Sequence, residues 1–471
     1  MARTIKVDPL TRIEGHASVE IDIDDNNQVT SSIFKVMDFR GWETFMQGTQ
    51  IEMMPLIMPR ICGTCSVSHH LASAKTVDNI FGVTPPPAAV LLRQAMNLAG
   101  YIHSHGIHIF ALAGPDLLLG VDAESAKRNI VGLIDTNPEL AKRALRLRAI
   151  STYITEILGG RGIHPVSAVA GGVASPLSET QRDSLKPKAE EAVTLAQALL
   201  EEFKQVLFPQ KNLLQSLELP THYMGLVNTD GSLDFYQGNL RLRGIDNSYF
   251  EFPEEQWENY LFEKTDPHSY AKFVFCQTQD GKEVPYRVGP LARLNCCDQI
   301  DTPLANTELQ ALREMGGFPC HQTVLYHYAR LIEMLYATEK LVELFNNDEI
   351  CSKDVRTQPT GNFQNGQRGI GIIEAPRGVL IHDYKVDESG IVNDINLIVA
   401  TQQNIKAIND TIAMSAQKYL NQPDDNLLLN GIEFGVRCYD PCLSCATHRI
   451  GDMKLDVVIR RQGEVIRTAK R

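Results

Sequence analysis

The chain has 471 residues, of which 43% are hydrophobic and 22% are charged, as is typical of a globular protein with a large core. Its formal net charge of −12 argues against a general binder of nucleic acid or of anionic membranes. No apolar run is long enough to cross a bilayer, and the first residues, MARTIKVDPLTRIEGH, lack the apolar core of an export signal. We therefore expect no membrane insertion and no export signal of its own.

The first half of the chain is predicted to contain one β-hairpin followed by long helices. Residues 18–36 alternate apolar and polar side chains around an Asn-Asn pair, which predicts a hairpin. Thr84 and the prolines after it are typical of a helix start, and the pattern stays helical to about Ala113. Two further long helices are predicted over 138–160 and 178–207.

The second half is predicted to hold two more long helices and two more hairpins, after a loop-rich region at 218–288 with short strands such as AKFVFCQ. The helices cover 323–347 and about 401–420. The hairpins cover 377–401, turning at 388–390, and 454–471, turning at 462–463.

No low-complexity linker, internal repeat or clean domain boundary interrupts these elements. The sequence therefore predicts an α+β, mainly α fold, in which a central bundle of long helices carries peripheral β-hairpins and folds as one unit. The glycines of NGQRGIGI (Gly366, Gly369 and Gly371) lack the spacing of a dinucleotide-binding loop, and no βαβ unit surrounds them. We expect no nucleotide to bind this chain.

Two Cys-x-x-Cys pairs, Cys62/Cys65 and Cys442/Cys445, lie near opposite ends of the chain. Four thiolates suit zinc, an iron–sulfur centre, or nickel or copper. Zinc ribbons usually hold their two motifs about 15–20 residues apart. Here almost the whole chain separates the two motifs, so a site that they share would close only after the core has formed. A zinc knuckle and two separate redox pairs remain as alternatives, although neither pair follows a βαβ pattern. The other six cysteines are expected to be free thiols: Cys276, Cys296, Cys297, Cys320, Cys351 and Cys438.

The residues around the cysteines resemble a known family. RICGTCSVSHH and DPCLSCATH resemble the two metal-binding motifs of nickel–iron hydrogenase large subunits, and DPLTRIEGH, FRGWETFMQG and EAPRG match as well. The resemblance runs from about Ile5 to the C-terminus. Stretches such as RVGPLARLN and RCYDPCLSCATH are most similar to the cytosolic, bidirectional, NAD-reducing group.

The resemblance implies a nickel–iron centre held by all four cysteines. Cys62 and Cys442 would be terminal nickel ligands, and Cys65 and Cys445 would bridge nickel to an iron that carries two cyanides and one carbon monoxide. Those diatomic ligands do not come from the protein, so a maturation chaperone and an endopeptidase are implied as partners.

Two motif residues are implied to act on dihydrogen and its protons. Arg377 of EAPRG resembles the arginine over the open face of the metals; an ordinary ion-paired arginine is the alternative. Glu14 of RIEGH resembles the glutamate that takes a proton from a terminal cysteine, here Cys442. The alternative for Glu14 is a salt bridge with Arg12.

Three more residues are implied to lie around the centre. Asp116 and Asp440 match carboxylates that form a canopy near the metals; alone they would be interpreted as a helix-end cap and a turn residue. His69 follows Cys65 by four residues, so a helix would place both on one face, where the histidine could donate a hydrogen bond to the bridging sulfur. His70 would face elsewhere.

A separate site for Mg²⁺ is implied near the C-terminus, with Glu43 and His448 as ligands. Oxygen ligands suit this hard cation, whereas a histidine is less usual. His103, His105 and His108 lie on one predicted helix, and we interpret them as core or interface histidines.

Residues 449–471 follow the second motif and are expected to be a removable extension of a single domain at 1–448. Family members are cut after the motif's histidine, here His448, so the chain resembles an unprocessed precursor. Arg449 departs from the small or apolar residue that is usual at that position. The extension has four more basic than acidic residues. While attached, it would keep Cys442 and Cys445 from their final position. A plain C-terminal hairpin that stays in place is the alternative.

The resemblance implies reversible cleavage of H2 in the cytoplasm. This chain has no cysteine cluster for iron–sulfur relays, so we expect two partners: an iron–sulfur small subunit, and a diaphorase module that reduces NAD⁺. Alternatives are a hydrogenase of another cytosolic group (deazaflavin-reducing, or linked to heterodisulfide or ferredoxin), a non-catalytic relative in respiratory complex I, and a zinc-stabilised interaction protein.

Overall fold

Long helices form the centre of the protein. The computed structural model describes residues 3–38, 41–447, 456–461 and 464–470. Its helices are α1 Trp42–Phe45, α2 Met54–Ile57, α3 Ser66–Phe81, α4 Pro87–Ile107, α5 Gly114–Leu119, α6 Ile130–Thr136, α7 Pro138–Gly159, α8 Glu179–Leu207, α9 Lys211–Leu214, α10 Pro290–Cys296, α11 Pro303–Gly316, α12 Tyr326–Asn346, α13 Ala400–Tyr419, α14 Asp425–Arg437 and α15 Leu443–Ala446. Every long helix predicted from the sequence is confirmed.

The bundle is built from α4, α7, α8 and α12. Helix α12 packs against α4 and α8, and α7 packs against the same two helices. Helix α8 begins at a capping box, in which Ser178 and Gln181 satisfy each other's backbone N–H groups. Its buried positions recur every three or four residues, from Leu185 to Leu207, because only one face of the helix meets the core.

Six small sheets pack around the helices in the described part of the chain. Their strands are β1 Arg3–Val7, β2 Ala17–Ile23, β3 Val29–Val36, β4 Ala168–Val169, β5 Gly172–Val173, β6 His222–Val227, β7 Asn239–Arg243, β8 Tyr249–Phe252, β9 Leu261–Lys264, β10 Phe273–Gln277, β11 Glu283–Val284, β12 Tyr286–Arg287, β13 Gln367–Ala375, β14 Gly378–Val386, β15 Val392–Ile398, β16 Asp456–Arg461 and β17 Glu464–Lys470. The sheets have the orders β1-β2-β3, β12-β6-β7-β8, β11-β10-β9, β13-β14-β15, β4-β5 and β16-β17.

The three predicted hairpins are confirmed as the antiparallel pairs β2–β3, β14–β15 and β16–β17. The turn predicted at 462–463 lies outside the described residues. Two of these hairpins gain a third strand that the alternation of side chains did not predict, β1 next to β2 and β13 next to β14. No helix in the described part of the chain is long and apolar enough to cross a bilayer.

The sheet β13-β14-β15 lies inside the protein, because α3 packs directly across β13. Gly369 and Gly371, two of the glycines that do not form a nucleotide loop, allow this contact. A Cβ atom on Gly371 would lie 2.5 Å from Thr76 Oγ1 and 2.6 Å from Thr76 N. The glycines therefore let the helix that follows Cys65 approach the strand that leads to Arg377.

Gly371→Ala is expected to destabilise the protein by about 1–3 kcal/mol, since the added methyl group must push α3 away from β13. Chemical denaturation followed by circular dichroism would measure the change in the free energy of unfolding. Gly361→Ala is the matched control, because a Cβ atom there meets nothing within 4 Å. Equal stability of the two variants would contradict the proposed close contact.

Candidate metal centre

The four cysteines of the two motifs converge on one buried point. Cys62 and Cys65 both lie just before α3, and Cys65 is its N-cap residue. Cys442 precedes the short helix α15 and Cys445 lies within it. The four sulfur atoms all lie within 4.8 Å of one another. Cys442 Sγ is 3.4 Å from Cys62 Sγ and 2.9 Å from Cys445 Sγ, and Cys65 Sγ is 3.3 Å from Cys445 Sγ.

This donor set fits a thiolate-bound metal centre. A metal–thiolate bond of about 2.3 Å lets two ligands of one ion lie up to about 4.6 Å apart, close to the span observed. Contacts with the other three sulfurs lower the pKa of Cys62, and Arg377 lowers it further. Burial raises the pKa of Cys442 and Cys445. Four thiolates packed this closely would repel one another, so their joint ionisation requires a metal cation.

Glu14 contacts the sulfur of Cys442. Its Oε2 accepts a hydrogen bond from Cys442 Sγ at 3.1 Å. The carboxylate also accepts hydrogen bonds from the backbone N–H and the hydroxyl of Ser444. The backbone holds the two segments together as well, since Leu443 N donates to Glu14 O at 3.0 Å. The alternative of a salt bridge between Glu14 and Arg12 is wrong, because Arg12 pairs with Asp116.

Arg377 lines the same small cavity as Cys65, Cys442 and Cys445. The residue is 4% exposed. Arg377 Nε donates to the backbone O of Asp440 at 2.6 Å, and its Nη2 lies 3.1 Å from Asp440 Oδ1. Although burial raises the pKa of Asp440, Arg377 and His108 lower it below its ordinary value. The guanidinium is thus fixed by a carboxylate and positioned beside the sulfurs.

His69 reaches the other cysteine motif. Its Nε2 lies 3.3 Å from Cys445 Sγ, although the two are far apart in sequence. Its Nδ1 lies 3.0 Å from Nε2 of His382, whose other ring nitrogen contacts Tyr384. The sequence did not single out His382 or Tyr384. Their one signal in the sequence is that both carry polar groups in strand β14, after its apolar run. His70 does face elsewhere, with its Nδ1 2.7 Å from the backbone O of Pro55.

Asp116 lies in a cluster of arginines. It forms ion pairs with Arg12, Arg128 and Arg437, at 2.5, 3.1 and 2.7 Å. Among the described residues it has no ion pair with Arg377, whose partner is Asp440. Because Arg437 precedes the second cysteine motif, Asp116 ties that segment to the N-terminal arm.

Asp116→Asn is expected to lower the free energy of unfolding by about 3–5 kcal/mol, since it removes the one carboxylate that three arginines share, two of which, Arg128 and Arg437, are buried. Thermal or chemical unfolding would measure this loss. Asp122→Asn, at an exposed position a few residues on, is the control and should change little. A variant as stable as the parent protein would contradict the anchoring role.

Of the remaining predicted residues, the structure describes Glu43 and the histidines of α4 but not His448. Glu43, on α1, is buried and accepts a hydrogen bond from Leu397 N at 3.1 Å. His448 lies outside the described residues, so the predicted Mg²⁺ site stays a prediction. His105 and His108 lie beside Glu333 and Asp440, respectively. Within the described ranges, the four cysteines are the only group with the geometry of a metal site.

Comparisons with known proteins agree with this geometry. A family model described as nickel-dependent hydrogenase matches residues 40–133 and 232–448, and one described as HoxL-like matches residues 4–39. The chain is 39% identical to one subunit of the F420-non-reducing hydrogenase vhc of Methanococcus voltae, over 98% of this chain and 99% of the relative. It is 36% identical to the beta subunit of the NAD-reducing hydrogenase HoxS of Cupriavidus necator, over 98% and 97% of the two chains.

A solved structure is similar over almost the whole length. An NAD⁺-reducing [NiFe]-hydrogenase in its H2-reduced state superposes with a TM-score of 0.89 at 37% identity, covering 95% of this chain and 99% of that one. The α+β, mainly helical fold is that of nickel–iron hydrogenase large subunits. Together with the four converging cysteines, these matches place the chain in the nickel-dependent hydrogenase family, as the large, catalytic subunit.

Proposed function

We propose that the four cysteines hold a nickel–iron centre at which H2 is cleaved heterolytically, with the net release of two protons and two electrons. The observation that carries this proposal is the group of four sulfurs within 4.8 Å, with a carboxylate on one sulfur and a buried arginine beside them. When bound, the metals supply Lewis acidity toward H2. Cys62 and Cys442 would be terminal nickel ligands, and Cys65 and Cys445 would also bind an iron carrying two cyanides and one carbon monoxide.

Metal content and infrared spectra test this assignment. We expect one nickel and one iron per chain, together with infrared bands from cyanide and carbon monoxide. Zinc as the sole metal, without such bands in a matured preparation, would instead favour a zinc-stabilised structural protein.

Glu14 is proposed to accept the proton that leaves through Cys442. Cys442 Sγ lies 3.1 Å from Glu14 Oε2, so that a proton can pass directly between them. Ser444 holds the carboxylate in this orientation through two hydrogen bonds. Glu14 would thus be the first proton acceptor outside the metal ligands.

Arg377 and its neighbours are proposed to shape the site where H2 reacts. Burial tends to lower the pKa of Arg377, but Asp440 and the cysteine sulfurs raise it, so the guanidinium is cationic. It would stabilise negative charge on the sulfurs, while Asp440 fixes its direction. His69 would orient Cys445 through the contact at 3.3 Å, and Asp116 would act at a distance, by anchoring Arg437.

The electrons are proposed to leave through the iron–sulfur clusters of a small subunit, then through a diaphorase module to NAD⁺. Supporting this acceptor is the 37% identity and TM-score of 0.89 to an NAD⁺-reducing hydrogenase. The purified complex should then reduce NAD⁺ with H2 as sole electron donor. Reduction of a viologen dye but not of NAD⁺ by the complete complex would reject the NAD⁺ proposal and leave hydrogenase activity intact.

A second candidate is a hydrogenase linked to heterodisulfide or ferredoxin reduction. The observation that keeps an acceptor other than NAD⁺ as a candidate is the 39% identity to an F420-non-reducing hydrogenase subunit, slightly above the 36% identity to the NAD-reducing relative. Copurification of the native complex separates the two candidates, because only the NAD-linked complex requires a flavin-containing diaphorase.

Maturation is proposed to end with removal of residues 449–471 by an endopeptidase, after a chaperone has helped to load the metals. The motif that ends at His448 supports this cut, and Glu43 and His448 would then bind Mg²⁺. Intact-mass spectrometry of active enzyme should show a chain that ends at His448. A full-length mass in active enzyme would contradict the cleavage.

A further inference from the structure

A strip of buried polar side chains crosses the interface between α4 and α12. This polar seam consists of His105, His108, His327, Arg330 and Glu333, all of which are at most 1% exposed. Its three residues on α12 are spaced three apart and share one face of the helix. His108 begins a π-helical turn at the end of α4, an irregularity that is frequent at functional sites.

The seam begins at the metal centre and ends in a buried charge network. At one end, His108 Nδ1 lies 3.0 Å from Asp440 Oδ1, although the two are not aligned for a hydrogen bond. Asp440 in turn holds Arg377. At the other end, His105 Nε2 lies 2.8 Å from Glu333 Oε2. Both oxygens of Glu333 also accept hydrogen bonds from Arg293.

Arg330 differs from other fully buried arginines of this protein. Its Nε, Nη1 and Nη2 have no hydrogen-bond partner. Arg93, Arg287 and Arg293 each donate several hydrogen bonds from an equally buried position. A guanidinium stays protonated in proteins. Burying it without acceptors is therefore more costly than burying a neutral polar group.

The other unpartnered atoms of the region define what can satisfy Arg330. Both ring nitrogens of His108 and His327 and Oδ2 of Asp440 also lack hydrogen-bond partners. The two imidazole rings are stacked, with centroids 5.5 Å apart. Arg330 can only donate, and Asp440, whose other oxygen is paired with the guanidinium of Arg377, offers Oδ2 as an acceptor. An anion would satisfy Arg330 but not Asp440, whereas water both donates and accepts.

We propose that about three ordered water molecules, at about three hydrogen bonds each, occupy the space among His108, His327, Arg330 and Asp440 and carry protons between the metal centre and the His105–Glu333 pair. Each water accepts a proton on one side and releases one on the other. The last water passes its proton to Nδ1 of His105, which has no hydrogen-bond partner, so that His105 becomes an imidazolium paired with Glu333 and no electron moves. This route starts on the side of the centre where Arg377 lies, whereas the route through Glu14 starts at Cys442. The inference rests on the proposed hydrogenase function. Each variant is therefore compared with the activity of the wild-type complex.

A high-resolution crystal structure of the wild-type complex tests the binding of water. We expect ordered waters within hydrogen-bond distance of Arg330 Nη1 or Nη2 and of Asp440 Oδ2. Arg330 bonded to protein carbonyls, or to a chloride ion, would overturn the proposal.

Variants of the matured complex test proton transfer. His327→Phe keeps a ring against His108 but removes both ring nitrogens, and Arg330→Met removes the charge. The measurement is the rate at which D2 gas in H2O yields HD and H2. We expect a fall of roughly tenfold, smaller than the effect of about a hundredfold or more for a direct acid–base group, because Glu14 remains.

Two further variants separate proton transfer from a structural effect. His103→Phe is the matched control. His103 is buried on α4, the helix that carries His105, but it faces Thr152 of α7 rather than the seam. It should keep the wild-type exchange rate. His327→Gln, which can again bind water, should recover part of the lost rate, with nickel, iron and infrared bands unchanged throughout. Wild-type exchange in His327→Phe and Arg330→Met, or an equal loss in His103→Phe, would overturn the proposal.

Discussion

Glu14→Gln is expected to lower the rate of D2/H2O exchange by about 10²–10⁴-fold, the usual contribution of a positioned acid–base group. The amide is nearly the same size and can still bind Ser444, but it cannot take a proton from the Cys442 S–H group 3.1 Å away. Nickel, iron and the infrared bands should stay at wild-type levels, because Glu14 is not a metal ligand. The measurement is mass spectrometry of HD and H2 formation on the purified complex.

The control for Glu14→Gln is Glu433→Gln. Glu433 is also a carboxylate that holds the N-terminal arm, since it accepts hydrogen bonds from Thr11 and Arg437. Among the described contacts it has none with a cysteine of the centre. Its loss should lower stability and leave the exchange rate per nickel unchanged. An equal loss of exchange in both variants would show that Glu14 acts only by holding the arm in place.

Cys65→Ser is expected to abolish the metal centre, with nickel falling to background and no detectable H2 oxidation. A serine oxygen is a harder and poorer ligand for nickel than a thiolate. The fold should survive, because residue 65 is the N-cap of α3 and serine is among the best N-cap residues. Elemental analysis and circular dichroism of the same sample would show the loss of metal and the retained helix content.

Cys438→Ala is the matched control for Cys65→Ser. Cys438 is as buried as the four proposed ligands and close in sequence to Cys442. Burial raises the pKa of its thiol to about 12, and the thiol donates to the backbone O of Phe434. We expect this variant to keep nickel and iron. Loss of metal from both variants would mean that any buried thiol near the second motif is needed, which the proposed ligand set does not predict.

The fold could be predicted from the sequence where the structure is local. The helices of the bundle and the three hairpins follow from the periodicity of apolar residues and from caps such as Ser178. The strands β1 and β13 were missed because a third strand depends on a partner outside the local pattern. The glycines at 369 and 371 could be excluded from a nucleotide loop, but their use in the contact with α3 appears only once the helix and the strand are packed.

The sequence by itself identified the family and the candidate ligands. Two Cys-x-x-Cys pairs, with the residues that flank them, indicated the family and the four sulfurs, because ligand chemistry and motif spacing are properties of short segments. They also singled out Glu14 and Arg377 as residues near the centre.

Only the tertiary structure decided which side chain meets which. Arg12 pairs with Asp116, so Glu14 contacts Cys442 instead of Arg12. His69 contacts Cys445 of the distant motif. It also creates the polar seam, because helical spacing assigns a residue to a face but does not say which element covers that face. Such contacts join residues hundreds of positions apart, so they form only when the helices and strands pack into one core.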